Sequence, residues 1–158
     1  MAKEENFDIK TEYEKVSKKY KLPEFEKIND DFEICSIEKK EFLTRAIRRR
    51  MNDKLLFFAR IIENVIYPNS QSQIIAYENS VFTEERRLEL VKVHKQLMIF
   101  ERRSLLLDIE TTDENDIEYI KDLLIKWEEF KKELKEVAET MRESWKNNIE
   151  EKEERFFG

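Results

Sequence analysis

An all-α fold, an antiparallel up-down-up bundle of three long helices with one or two short helices before them, is what this sequence predicts. Three observations carry that prediction. Glycine occurs once in 158 residues, at position 158, and proline only at Pro23 and Pro68. Sheet turns and phosphate-cradling loops need glycine for positive φ and close backbone approach, so both are disfavoured. Charged residues are 42 % of the chain, chiefly Lys and Glu, which form helices well and keep an outer face wet. Apolar residues also recur at intervals of three and four over stretches far longer than a strand.

The elements follow in order. Ile9, Tyr13, Val16 and Tyr20 make one apolar stripe on a short helix that Pro23 ends. Phe25, Ile28 and Phe32 make another. The first long helix spans 37–67, with Leu43, Ile47, Met51, Phe58, Ile61 and Val65 as its core stripe, and Lys54 standing where that stripe should continue. Pro68 stops it. A short helical turn within 74–82 plugs the end of the bundle. Thr83 before Glu84 and Glu85 is an N-cap with acidic residues suited to the helix dipole.

The second long helix, 84–109, is apolar on more than one side, which marks a central helix. Leu88, Val91, Met98, Leu105 and Ile109 form one stripe; Val93, Phe100 and Leu107 form another. Asp113 or Asn115 caps the third, at 114–153. Its stripe runs Ile120, Leu124, Trp127, Phe130, Leu134, Val137, Met141, Trp145 and Ile149. At 1.5 Å per residue the three helices span about 45, 39 and 60 Å, so the third outruns its partners. The chain is expected to be a single domain over 1–158, its short helices in 1–35 covering that excess or serving as a mobile arm. Residues 36–155 form the three-helix core, and 156–158 an aromatic tail.

Composition excludes several function classes. The single cysteine, Cys35, leaves no internal disulfide, and the N-terminal MAKEENFDIK lacks the apolar core of a signal peptide. The richest apolar run is broken by Arg60, Glu63 and Asn64 and is too short to cross a bilayer. A cytoplasmic protein without a membrane partner is expected. Charge is segregated: residues 37–67 hold eight basic against four acidic residues, whereas 114–155 hold nine against fourteen. Nine of the eleven arginines lie between Arg45 and Arg103. Segregation of this kind marks either a partner surface or helices that pair with each other.

Arg45, Arg49 and Arg60 align on the face of the first long helix opposite its core stripe, with Asn52 and Leu56 between them and Arg48 beside them. Arginine's planar fork suits phosphate. Glu41, Asp53 and Glu63, three or four residues away, equally suit a solvated face laced by ion pairs. In the second long helix Arg87, His94, Glu101 and Asp108 form a heptad column. His94 has no ligating residue three or four positions away, so the column reads as a wet seam or a row of salt bridges, not a metal site. Cys35, with no basic neighbour, reads as a structural thiol.

The aromatic pair Phe156 and Phe157 either folds back or hooks a partner pocket. A sliding-clamp-binding peptide has Gln and an aliphatic residue where Glu150 and Glu153 stand, so that match fails. The order of an arginine-rich helix, a loop, then Thr83-Glu84-Glu85-Arg86 opening a leucine-rich helix is similar to the helical domain of GINS replication subunits, over half the chain. The small β domain usual to those subunits has no counterpart here, and no residue role is carried over.

The expected function is a non-enzymatic protein-interaction module, a subunit or adaptor, with no cofactor, metal or small-molecule substrate. Its contact residues would be Arg45, Arg48, Arg49, Arg60, Phe156 and Phe157. The alternative is an RNA- or DNA-binding protein that uses the arginine face against phosphates, against which stand the overall charge of −6 and the lack of aromatics among the arginines.

Overall fold

The computed structural model describes residues 6–67 and 73–157, with side chains through Asn147. Among these residues there is no strand. The elements are α1 (Ile9–Tyr20), α2 (Phe25–Phe32), a 3-10 turn (Ile34–Ser36), α3 (Leu43–Ile66), α4 (Gln73–Ser80), α5 (Glu84–Ile109) and α6 (Asp113–Phe157). No described helix is long and apolar enough to cross a membrane.

Local chemistry sets the ends. Lys21 closes α1 and Glu33 closes α2, each in the left-handed conformation with its N–H bonded back to a helix carbonyl. The Thr83 hydroxyl accepts from the N–H of Arg86 at 3.1 Å, the expected N-cap of α5. The cap of α6 is Thr112 rather than Asp113 or Asn115: its hydroxyl accepts the N–H of Asn115 at 3.2 Å. α3 starts six residues later than the periodicity suggests. Ile37 is extended and buried, and Phe42 sits at a φ of 54°, so the backbone turns before Leu43.

Backbone contacts divide the chain into two compact units. One comprises residues 1–55 and 100–125, the other 56–99 and 126–158; α3, α5 and α6 each contribute to both. In the first unit Tyr13, Ile28, Ile34, Ile47, Met51, Leu55, Tyr119, Ile120 and Leu123 are buried. The Tyr13 hydroxyl donates to the carbonyl of Pro23 at 2.7 Å, tying α1 to the chain that follows it. Burial pushes that phenol up to about 12, with a bond to Ser17 pulling the other way. In the second unit Ile62, Val65, Leu90, Leu97, Phe130 and Val137 are buried, and Phe58 stacks on Trp127 with ring centroids 4.7 Å apart.

Two expectations about packing are corrected. In α3 the expected Leu43, Ile47, Met51, Phe58 and Val65 are buried, but Leu55 and Ile62 join them whereas Lys54 and Ile61 are half-buried, so the core stripe bypasses the lysine. The buried column of α5 is Leu90, Leu97 and Ser104, one heptad apart. Leu88, Leu105 and Ile109, expected inside, are 67 %, 48 % and 76 % exposed. Within the second unit, α4 holds the far part of α6. Tyr77 donates to the Ser144 carbonyl at 2.7 Å, and the Trp145 indole donates to Glu78 at 2.8 Å. The N-terminal helices belong to the other unit, with the start of α6.

Candidate functional site

Of the residues singled out by sequence, Arg45, Arg48 and Arg49 lie in the first unit and Arg60 in the second. The side chains of Phe156 and Phe157 lie outside the described residues, although their backbone continues α6.

Arg48 is not beside an exposed face. It is 0 % exposed, and every nitrogen of its guanidinium is engaged. Nε donates to Asp116 Oδ1 at 2.6 Å. Nη1 donates to the Ser104 carbonyl at 3.0 Å and to its hydroxyl at 2.5 Å, and Nη2 donates to Asp108 Oδ1. The same turn-by-turn face of α3 carries Thr44 and Asn52. Thr44 donates to Asp113 at 2.8 Å, and Asn52 accepts the Tyr119 hydroxyl at 3.2 Å. The second oxygen of Asp116, itself 1 % exposed, accepts from Thr111 at 2.9 Å. A buried charge is tolerated only when paired and hydrogen-bonded, and here every guanidinium nitrogen has a partner.

The surrounding groups respond accordingly. Burial works against the charged form of Asp108, yet the hydrogen bonds from Arg48 and Arg49 outweigh it and hold the carboxyl below its ordinary range. Burial raises the Tyr119 phenol, which the charges of Arg48 and Arg103 partly offset.

The remaining arginines divide. Arg49 is half exposed and pairs with Asp108 at 3.0 Å, across to α5 rather than along α3 to Asp53. Arg45 lies over the exposed Phe42 ring at 4.8 Å, its Nε buried without a hydrogen-bond partner. Arg60 is exposed. An open groove of about 550 Å³ beside Arg49 and Arg50 is also lined by Lys39, Glu38, Glu41 and Asp53, so its charges nearly balance.

The heptad column of α5 is not one seam. In the first unit Asp108 bridges to α3 through Arg48 and Arg49, and Glu101 pairs with its neighbour Arg102. In the second unit Arg87 pairs with Glu84 and donates to the Asn79 carbonyl at 2.5 Å. His94 keeps a buried Nε2 with no partner among the described residues. No group of three or more His, Cys, Asp or Glu is placed to hold a metal ion among the described residues. Cys35 is an exposed free thiol whose backbone N–H donates to Asn29 at 2.8 Å.

Sequence reasoning missed Ser104, Asp116 and Thr44. One signal was available: Ser104 continues the Leu90–Leu97 heptad, and a small polar residue in an apolar column announces a buried polar group opposite. No family model, curated protein or solved structure matches this chain, so the likeness to GINS helical domains gains nothing from these comparisons.

Proposed function

We propose that this chain is a helical protein-interaction module, a subunit or adaptor of a larger assembly without an enzymatic role of its own. In this reading the three long helices form an up-down-up bundle acting as one domain. The contacts within the first unit support the helix directions. Thr44, Arg48 and Asn52 meet Asp113, Asp116 and Tyr119 in ascending order, as for helices running the same way.

The observation that carries the functional reading is the outward face of α5. Leu105, Leu106 and Ile109 lie within its last two turns at 48 %, 66 % and 76 % exposure. Residues three and four apart share a helix face, so Ile109 adjoins both leucines. Single exposed leucines are ordinary, but a contiguous apolar group on an otherwise charged surface marks a contact site. The phosphate-binding alternative loses Arg48, because each of its guanidinium nitrogens is engaged inside the first unit.

The test compares wild type with Leu105→Ser/Leu106→Ser/Ile109→Ser by size-exclusion chromatography and pull-down from native extract. Stoichiometric association that the triple variant loses is the expected result. A wild-type chain that emerges alone and monomeric sinks the reading.

A further inference from the structure

A second stretch of α5, wholly within the other unit, carries a different pattern. Leu88 is 67 % exposed and Ile99 is 68 % exposed. On successive turns between them stand Lys92 and Lys95, both exposed and without an acidic partner among the described residues. At 100° per residue, positions 88, 92, 95 and 99 fall within a strip about 60° wide. The strip is therefore a line, apolar at both ends and cationic in the middle, about 17 Å long.

The acidic residues around it are largely occupied. Glu84 pairs with Arg87, and Glu89 pairs with Arg86, which also binds Glu133 and Glu136 of α6. Glu85, one turn before Leu88, is the remaining carboxylate at that end. The two lysines thus dominate the middle of the line. The same arrangement disfavours a second copy of this chain pairing through this strip in register, since lysine would meet lysine.

We propose that this strip of α5 docks an amphipathic helix of another protein that carries carboxylates between two apolar anchors. The fit is specific in register. Leucine-like side chains eleven residues apart on the partner lie over Leu88 and Ile99, and two Glu or Asp on the turns between them meet Lys92 and Lys95. The apolar ends supply the burial, and the charges set register and orientation. The proposal rests on reading the chain as an interaction module but assigns a separate surface and a defined partner chemistry.

The probe is a synthetic helix-forming peptide of about five turns, with leucines eleven residues apart and glutamates at the two intervening positions. A control peptide carries lysines in place of those glutamates. Fluorescence anisotropy at two salt concentrations measures both against the full chain, and amide and methyl shifts locate the contact. The glutamate peptide should bind at least about tenfold tighter than the lysine peptide, weaken with salt, and shift Leu88 and Ile99.

Lys92→Glu/Lys95→Glu should reverse the preference between the peptides, and Leu88→Ser/Ile99→Ser should abolish binding of both. These positions are exposed, so melting curves matching wild type exclude unfolding as the cause. Equal binding of the two peptides, binding indifferent to the leucine and isoleucine changes, or no binding of the glutamate peptide at its solubility limit each overturns the proposal. In those cases, extract association lost only on changing Leu105, Leu106 and Ile109 would leave the general reading standing.

Discussion

The guanidinium of Arg48 donates from Nε to Asp116 Oδ1 at 2.6 Å, with the two side chains 0 % and 2 % exposed. A pair so buried stabilises only as a pair. Losing one partner strands the other charge away from water, at about 3–5 kcal/mol. Arg48→Ala and Asp116→Ala should each lower unfolding free energy by that amount in urea titrations. Arg48→Met/Asp116→Leu should cost less than the sum of the single changes, because no charge is left stranded. Single losses below about 1 kcal/mol would show that water reaches the site.

The neighbouring Asp108 makes stability depend on acid. Its folded pKa lies below the ordinary 3.8, held there by Arg48 and Arg49 against the opposing effect of burial. A group depressed on folding contributes stability above its unfolded pKa and loses it as pH falls through the folded one. Thermal melts should therefore lose stability below about pH 4, and Asp108→Asn should flatten that part of the profile. An unchanged profile in the variant would assign the acid sensitivity to other carboxylates.

The two sides of α5 should respond oppositely to truncation. Leu97 is fully buried, so Leu97→Ala should cost about 2–5 kcal/mol. Leu106, 66 % exposed, should tolerate change to Ser within about 0.5 kcal/mol. Denaturation midpoints of the two variants decide which side of the helix is inside.

The hold of α4 on the far part of α6 rests on Tyr77 and Trp145, whose rings lie 4.8 Å apart. Tyr77→Phe removes the bond to the Ser144 carbonyl and should cost about 1 kcal/mol. Trp145→Ala also removes the ring contact and the bond to Glu78. It should speed amide exchange across Gln73–Ser80 while leaving α1 and α2 unchanged. Uniform acceleration through the chain would instead indicate global destabilisation.

The arginines of α3 give the remaining test. Arg48 is occupied, Arg49 pairs with Asp108, and Arg45 lies on Phe42. Labelled single-stranded RNA, structured RNA and duplex DNA should show no salt-dependent anisotropy change that Arg45→Glu/Arg49→Glu/Arg60→Glu abolishes. If binding appears and the triple variant reduces its salt slope by about two to three, phosphate contact becomes the reading.

Much of the secondary structure was legible because it rests on local causes. Thr83 caps α5 because its hydroxyl reaches an N–H three residues on, and that requires no distant partner. The stripe of Trp127, Phe130 and Val137 is buried as its spacing predicts. The candidate contact residues were less legible. Arg48 differs from Arg45 and Arg49 in sequence only by standing beside their face, and its fate depends on Asp116, 68 positions away.

The sequence by itself therefore determined that the described chain is helical, where most helices begin and end, and which side chains share a helix face. Tertiary structure decided which of two apolar faces of α5 turns inward, that Arg48 is buried, and that α4 holds the far part of α6. The physical reason is the same in each case. Periodicity gives angles around one helix axis, whereas burial depends on which other helices arrive there, and on whether they bring the carboxylates and small polar groups that let a charge leave water.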